Sequence, residues 1–345
     1  MVEFAPVRYG ILGAANIARA FARGLAASPF AVVAAIASRG GEKAAAFAAE
    51  LSIPRALGSY EALLADPAID AVYLPLPNDM HADWAIRAAE AGKHVLCEKP
   101  LTLTAAAARA MFAAARAHGV HLVEAYPYMS QPQTLRLREL LAAGSLGRIR
   151  SVSAGFSYNI CTPEGAPRIE PTNIRLVVER GGGALRDAGT YAMSLLRIAI
   201  GERPARVRAI ARSAETGVDH MVAATLEFPG GSIGQLTCSI SSAAHRYAVI
   251  VGERGVIETN YSNHAPASGV LSLAVKHGMR GEAAVETVEV PGGDGFLAEA
   301  ESFARMVRLG AAHWNGATEA ESVDTVLGLE AIAASARSGD WVEVE

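Results

Sequence analysis

The stretch 8-RYGILGAANIARAF-21 decides how the first half of the chain is read. An apolar run ends at Gly13, and small residues then lead into a segment whose apolar positions recur at helical spacing. A strand that turns through glycine into a helix offers unpaired backbone N–H groups at the helix start, which suit a phosphate. Aligned to G-x-G-x-x-G, only Gly13 is kept, and Ala15 and Ala18 take the second and third positions. Alanine is still small enough to let backbone and pyrophosphate approach, with Asn16 and Ile17 beside it. Strand–helix turns without a ligand have the same composition, so the turn needs support from elsewhere.

The segments that follow keep one rhythm. A strand over 8–13 precedes a helix over 16–28, and 31-AVVAAIAS-38 is a second apolar strand before an alanine-rich helix through Leu51. A short helix at 60–66, a strand at 70–76 and a helix at 81–92 come next. Then 93-KHVLCEK-99 reads as a strand, 104–119 as a helix and 120-VHLVEAY-126 as a last strand. Strands apolar throughout, separated by helices, fit a parallel sheet covered on both faces. Residues 1–125 therefore read as a doubly wound, Rossmann-type dinucleotide-binding domain.

Beyond residue 126 the rhythm changes to alternating strands linked by tight turns. Helices are expected at Gln133–Ala143 and Ala184–Ile200, and the Pro-Gly-Gly turn at 229–231 reads as a hairpin. This pattern predicts an α/β domain over 126–345 built on a large, mostly antiparallel, open-faced sheet. Two more helices, at 295–309 and 318–337, precede the C-terminal WVEVE, and this last part can pack back on the first domain.

Composition narrows the function classes. Across 345 residues, 51% are hydrophobic and the net charge is −4, so no basic excess points to nucleic acid or a membrane surface. Cys97, Cys161 and Cys238 are isolated, which gives neither a disulfide framework nor a zinc site. The N-terminus carries no export-signal pattern and apolar runs stay shorter than a membrane span, so a soluble cytoplasmic protein without a metal is expected.

Two constellations carry chemistry. At the end of the second strand an NAD-preferring enzyme usually places Asp or Glu against the adenine ribose. Here stand Ser38 and Arg39, with Lys43 a helical turn on; a hydroxyl and cations suit the 2′-phosphate of NADP, though a solvated loop has the same residues. The second constellation joins Glu98-Lys99-Pro100 to 181-GGGALRDAGTY-191. Asp187 and Tyr191, four apart, share a helix face. A phenol is a poor base at neutral pH unless a nearby ammonium stabilises its anion. Lys99 can do this, and can also hydrogen-bond the oxygen on which charge changes during hydride transfer. Asp187 would orient that pair or hold the substrate. Alone, each residue has a structural reading as core or cap.

Gly13 with GILGAANIA, 76-LPNDMHADWAIRAAEAGKHVLCEKP-100 and GGGALRDAGTY together resemble the Gfo/Idh/MocA family. Tyr191, where many members have His, places the chain nearer the branch of glucose–fructose oxidoreductase, dimeric dihydrodiol dehydrogenase and the NADP-dependent xylose dehydrogenases. The resemblance implies an NADP-dependent oxidoreductase acting on a sugar, polyol or related cyclic alcohol. It also implies a homodimer, or a dimer of dimers, through the open sheet. Carried over by position, Lys99 is catalytic and Tyr191 the proton donor or acceptor. Pro77, Asn78 and His81 should lie along the cofactor, with Glu98 near the nicotinamide and Trp84 in packing. The chain departs from the family pattern at Met129 and Gln131, where many relatives have Arg and His. Asn173 and Arg175, in the loop 158–175, suit either substrate contact or loop anchoring. Two further readings stay open: a transhydrogenating cycle with NADP retained, and a non-catalytic NADP-binding sensor.

Overall fold

The computed structural model describes residues 4–261, 269–278 and 284–345. Six short strands make the first sheet: β1 (Val7–Leu12), β2 (Ala31–Ala37), β3 (Ala56–Leu57), β4 (Ala71–Leu74), β5 (His94–Glu98) and β6 (Leu122–Ala125). Their order is β3-β2-β1-β4-β5-β6 and every neighbouring pair is parallel. Helices α1 (Asn16–Leu25), α2 (Gly41–Leu51), α3 (Tyr60–Leu64), α4 (His81–Glu90) and α5 (Ala105–Ala117) connect them. The winding reverses between β1 and β4, which opens a crevice at the carboxyl ends of the strands. Gly13, Pro77 and Lys99 follow β1, β4 and β5, so all three border that crevice. The two-residue β3 escapes sequence reading because it has no apolar run of its own.

The second half follows with α6 (Pro132–Ala142), β7 (Ile149–Asn159), α7 (Thr190–Ile200), β8 (Arg206–Ser213), β9 (Asp219–Glu227) and β10 (Ile233–Ser239). Then come β11 (Ser241–Gly252), β12 (Gly255–Thr259), β13 (Val270–His277), β14 (Ala284–Pro291), α8 (Gly295–Leu309), α9 (Glu319–Ser338) and β15 (Val342–Glu343). Nine strands form one sheet in the order β14-β13-β12-β11-β7-β10-β9-β8-β15. Pairing is antiparallel except for β7 with β10 at its centre, and the expected hairpin joins β9 to β10. One face packs on α7 and α9, while Ile210, Met221 and Ile233 stand exposed. Among the described residues, no helix is long and apolar enough to cross a membrane.

Helix α8 belongs to the first sheet rather than the second. Phe296, Ala300 and Phe303 sit in one buried cluster with Val7, Tyr9 and Ile11 of β1. The Tyr9 hydroxyl donates to the Ala300 carbonyl at 3.0 Å, and Phe21 stacks on Tyr73 with centroids 3.8 Å apart. An Asp294 carboxylate caps the helix by accepting from Phe296 and Leu297 N–H.

Asp70, just before β4, ties this seam electrostatically. It receives Arg8 from β1 at 2.7 Å and Arg308 from α8 at 2.8 Å. Burial pushes its carboxyl up, but Arg8 and Arg308 outweigh that and bring it down to about 2. A carboxylate whose folded pKa lies below its unfolded value stabilises the fold above the unfolded pKa, and loses that contribution as pH falls. After discounting for solvent screening, Asp70→Asn should cost about 1 kcal/mol near neutral pH. Thermal unfolding at descending pH should show the wild-type advantage fading between roughly pH 4 and pH 2.

Candidate active site

The turn after β1 is built for close approach. Gly13 has φ +113°, and a Cβ there would come within 2.9 Å of the Leu76 side chain. Helix α1 begins at Asn16 with Ala15 before it, no side-chain cap and no acidic residue in its first turn. Its first N–H groups thus stay available to an anion. Asn16 accepts from Arg19 at 3.0 Å, and Ile17 is half-buried.

A cationic corner lies beside this turn. The Tyr60 hydroxyl would stand 3.8 Å from a Cβ on Gly13, and the exposed Arg39 faces the same hydroxyl. Lys43 is exposed on α2, and the buried Ser38 hydroxyl donates to the Gly40 carbonyl at 2.5 Å. Phosphate-seeking groups and the glycine turn therefore share one end of the crevice, which fits a dinucleotide phosphorylated on its adenine ribose.

The family resemblance puts Pro77, Asn78 and His81 along a cofactor, and the three behave differently. Pro77 is half-buried at the crevice. Asn78 donates to the Gly181 carbonyl at 3.0 Å, and Asp79 beside it pairs with Arg180 at 2.8 Å, so this loop is fastened to the second half. His81 is fully buried, with its ring nitrogens 3.0 Å from the Pro100 carbonyl and 2.8 Å from the Leu76 carbonyl. It joins the loops after β4 and β5. Trp84 packs edge-to-face on Tyr60, centroids 4.8 Å apart.

At the other end of the crevice, Lys99 meets Asp187. The Lys99 ammonium donates to an Asp187 carboxylate oxygen at 2.9 Å and to the Asp187 carbonyl at 3.0 Å. An ammonium has three donors, so one remains for a ligand. The same ammonium stands 4.9 Å from the centre of the Tyr191 ring. Asp187 lies in a π-helical turn, Leu185–Gly189, that runs directly into α7. Gly183, at φ +111°, makes that entry possible, because a side chain there would strike Asp219, whose carboxylate caps Leu185 N–H at 2.7 Å.

Asp187 is the hub of the site. Besides Lys99 it accepts from Arg175 at 3.0 Å and from the Tyr158 hydroxyl. Burial pushes its carboxyl up, but Lys99 and Arg175 hold it well below the usual carboxylate range. Burial and then the Asp187 charge push the Tyr158 phenol up, so Tyr158 remains a donor. Asn173 accepts from Arg175 N–H at 3.1 Å, which makes its side chain an anchor for the turn that presents Arg175. Glu98 accepts from the Tyr73 hydroxyl at 2.5 Å and from Lys99 N–H at 3.2 Å. Burial raises its pKa, with Lys99 opposing.

Tyr191 is 4% exposed and set among rings: Phe156, Tyr126 and Tyr128 at 5.3, 5.5 and 5.9 Å between centroids. Met129 and Gln131, the departures from the family pattern, are both buried. Tyr73 and Tyr158 carry no sequence motif; a phenol in a strand reads as core until its partner is known. No cluster of His, Cys, Asp or Glu among the described residues could hold a metal ion.

The 3-2-1-4-5-6 parallel sheet is of the Rossmann type and is joined to an open, mostly antiparallel one, with Lys99 and Tyr191 meeting at the crevice. The model for the oxidoreductase family GFO_IDH_MocA, NAD-binding Rossmann fold, matches residues 7–126, and that for the family's C-terminal domain matches 134–258. The chain belongs to this family. It is 38% identical over 339 residues to a D-xylose 1-dehydrogenase (NADP+) of Haloferax volcanii, covering 98% of this chain and 99% of that one. It is 36% identical over 255 residues to the trans-1,2-dihydrobenzene-1,2-diol dehydrogenase of Mus musculus, covering 73% and 74% respectively. The 3-ketoreductase KijD10 of Actinomadura kijaniata, solved with NADP and TDP-benzene, superposes with TM-score 0.83 at 31% identity, over 96% of this chain and 98% of that one.

Proposed function

We propose that the protein is an NADP-dependent dehydrogenase or reductase of a sugar, polyol or cyclic diol, with Tyr191 and Lys99 as its catalytic pair. The observation that carries this reading is the Lys99 ammonium 4.9 Å from the Tyr191 ring at the crevice mouth. When bound, NADP+ takes a hydride at C4 of its nicotinamide, and NADPH returns it. In the oxidative direction the phenolate oxygen of Tyr191 accepts the hydroxyl proton as the C–H bond breaks; in the reductive direction it returns that proton. Lys99 uses its remaining N–H to stabilise charge on the substrate oxygen and on the phenolate. Asp187 orients Lys99, and Arg175 lies within reach of substrate hydroxyls. Gly13, Ala15 and the α1 N-terminus would hold the pyrophosphate, Ser38, Arg39 and Lys43 the 2′-phosphate, and Pro77 and Glu98 the nicotinamide end. Cytoplasmic location and a homodimer through the exposed face of the nine-stranded sheet belong to the same reading.

A screen of aldoses, polyols and cyclic diols with NADP+ and NAD+, following reduced nicotinamide by absorbance, tests cofactor and substrate class together. Cofactor binding without turnover on any of them would leave the sensor reading instead. In that assay Arg39→Asp should shift selectivity toward NAD+ by roughly tenfold or more, the worth of one charge-assisted hydrogen bond. An unchanged ratio would remove Arg39 from the 2′-phosphate.

A further inference from the structure

Strand β11 is irregular where it runs beside β7. Ser241 lies opposite Asn159 and His245 opposite Ser157, so four steps along one strand match two along the other. The Ser157 hydroxyl donates to the Ala243 carbonyl at 2.7 Å and fastens the extra residues. Bulges of this kind re-aim side chains and gather beside active sites. The register resumes with Arg246 opposite Phe156. Residues directly opposite on adjacent strands share a face of the sheet, and for this pair it is the face turned to Tyr191. The Arg246 guanidinium lies 5.3 Å from the centre of the Phe156 ring, and the Phe156 and Tyr191 ring centres are 5.3 Å apart. Tyr247, the next residue, points the other way, with its hydroxyl 3.3 Å from that of the exposed Thr237.

Arg246 is half-buried, against Phe156 and near Tyr261. Lys99 and Arg175 share the Asp187 carboxylate. Among the described residues Arg246 forms no ion pair, and 262–268, next in sequence after Tyr261, contains no Asp or Glu. Glu98 is taken up with the Tyr73 hydroxyl and the Lys99 N–H. Three cations therefore stand around the reacting phenol with two carboxylates, and a guanidinium cannot shed its proton to relieve the excess. Contact with a phenyl ring offsets only part of the cost of holding a cation half out of water.

We propose that Arg246 is a specificity-determining residue that binds an oxyanion on the substrate, so that the substrate is a sugar-type alcohol or ketone carrying a carboxylate or a phosphate. The inference rests on the catalytic reading above. Because Arg246 and Tyr191 touch the same phenyl ring, a sugar whose carbinol lies at Tyr191 and Lys99 can reach the guanidinium with a substituent on its far side. The planar fork of N–H donors matches either oxyanion. The positive excess also draws anions toward the crevice.

Glucose, glucuronate and glucose 6-phosphate share one ring and differ in charge at C6, so they serve as probes. With NADP+, at least one of the two anions should show a kcat/KM about tenfold or more above that of glucose. The favoured anion tells a carboxylate site from a phosphate site. Arg246→Met should erase the preference through KM, with the anion losing far more than glucose, and Arg246→Lys should restore part of it. Equal kcat/KM for all three with the wild type, or equal losses on anion and glucose in Arg246→Met, would overturn the inference and leave the catalytic reading standing. Calorimetric titration of the same probes into the NADPH-saturated protein reads binding without turnover. There an anion should bind the wild type and weaken about tenfold or more in Arg246→Met. Should nothing turn over while this difference is present, the catalytic reading alone has failed. Anion binding that is absent from the wild type, or the same in both proteins, also overturns the proposal.

Discussion

Lys99→Met should lower kcat by about 10²–10⁴-fold while leaving NADPH affinity within a few fold. Methionine preserves an unbranched side chain but removes the ammonium that donates twice to Asp187 and faces the Tyr191 ring. Three effects then coincide. The substrate oxygen loses its donor, the phenolate loses its counter-charge, and Asp187 is left with Arg175 and Tyr158 only. In the oxidative direction the rate rises with pH as the phenol ionises, so loss of a neighbouring positive charge should move that limb to higher pH. Stopped-flow kinetics over a pH series checks both effects. A limb that stays in place would mean that the ammonium does not act on Tyr191.

Tyr191→Phe is expected to produce the second large loss, of about 10²–10⁴-fold in kcat, because it removes the proton acceptor. The ring would keep its contacts with Phe156, Tyr126 and Tyr128, so thermal stability should change little. Tyr158 offers no substitute, since burial and the Asp187 carboxylate keep its proton on. Because both residues serve one proton transfer, the double variant Lys99→Met/Tyr191→Phe should be little worse than the poorer single variant. Fully multiplicative losses would show that the two act at separate steps. Differential scanning fluorimetry alongside the kinetics separates these outcomes from simple unfolding.

Much of this site is legible in the sequence because its parts are local. The strand–glycine–helix turn at Gly13, the Glu98-Lys99-Pro100 sequence at the end of β5, and the four-residue spacing of Asp187 and Tyr191 each lie within one element and its adjoining turn. Alternation of apolar strands with helices likewise gives the parallel sheet, since each unit is a short-range pattern. What stays hidden depends on long-range pairing. The parallel match of β10 with β7 joins segments about 80 residues apart, and no turn signal marks it. Tyr158 reaches Asp187 from a strand 29 positions away. Asn173 shows the converse case. Its side chain type suits a substrate hydroxyl, and in the fold its amide oxygen accepts from the N–H of Arg175. His81 is similar: a ring that looks like a ligand contact bridges two backbone carbonyls.

The docking of α8 against β1 has a consequence for biogenesis. Tyr9, Phe21 and Tyr73 are among the first aromatic residues to leave the ribosome, yet their cover, Phe296 and Phe303, is translated near the end. Until then the nascent dinucleotide domain carries an apolar flank open to solvent, which invites chaperone capture or aggregation. Separating residues 1–125 as an autonomous cofactor-binding module should therefore fail, and supplying the segment 294–310 in trans should restore its solubility.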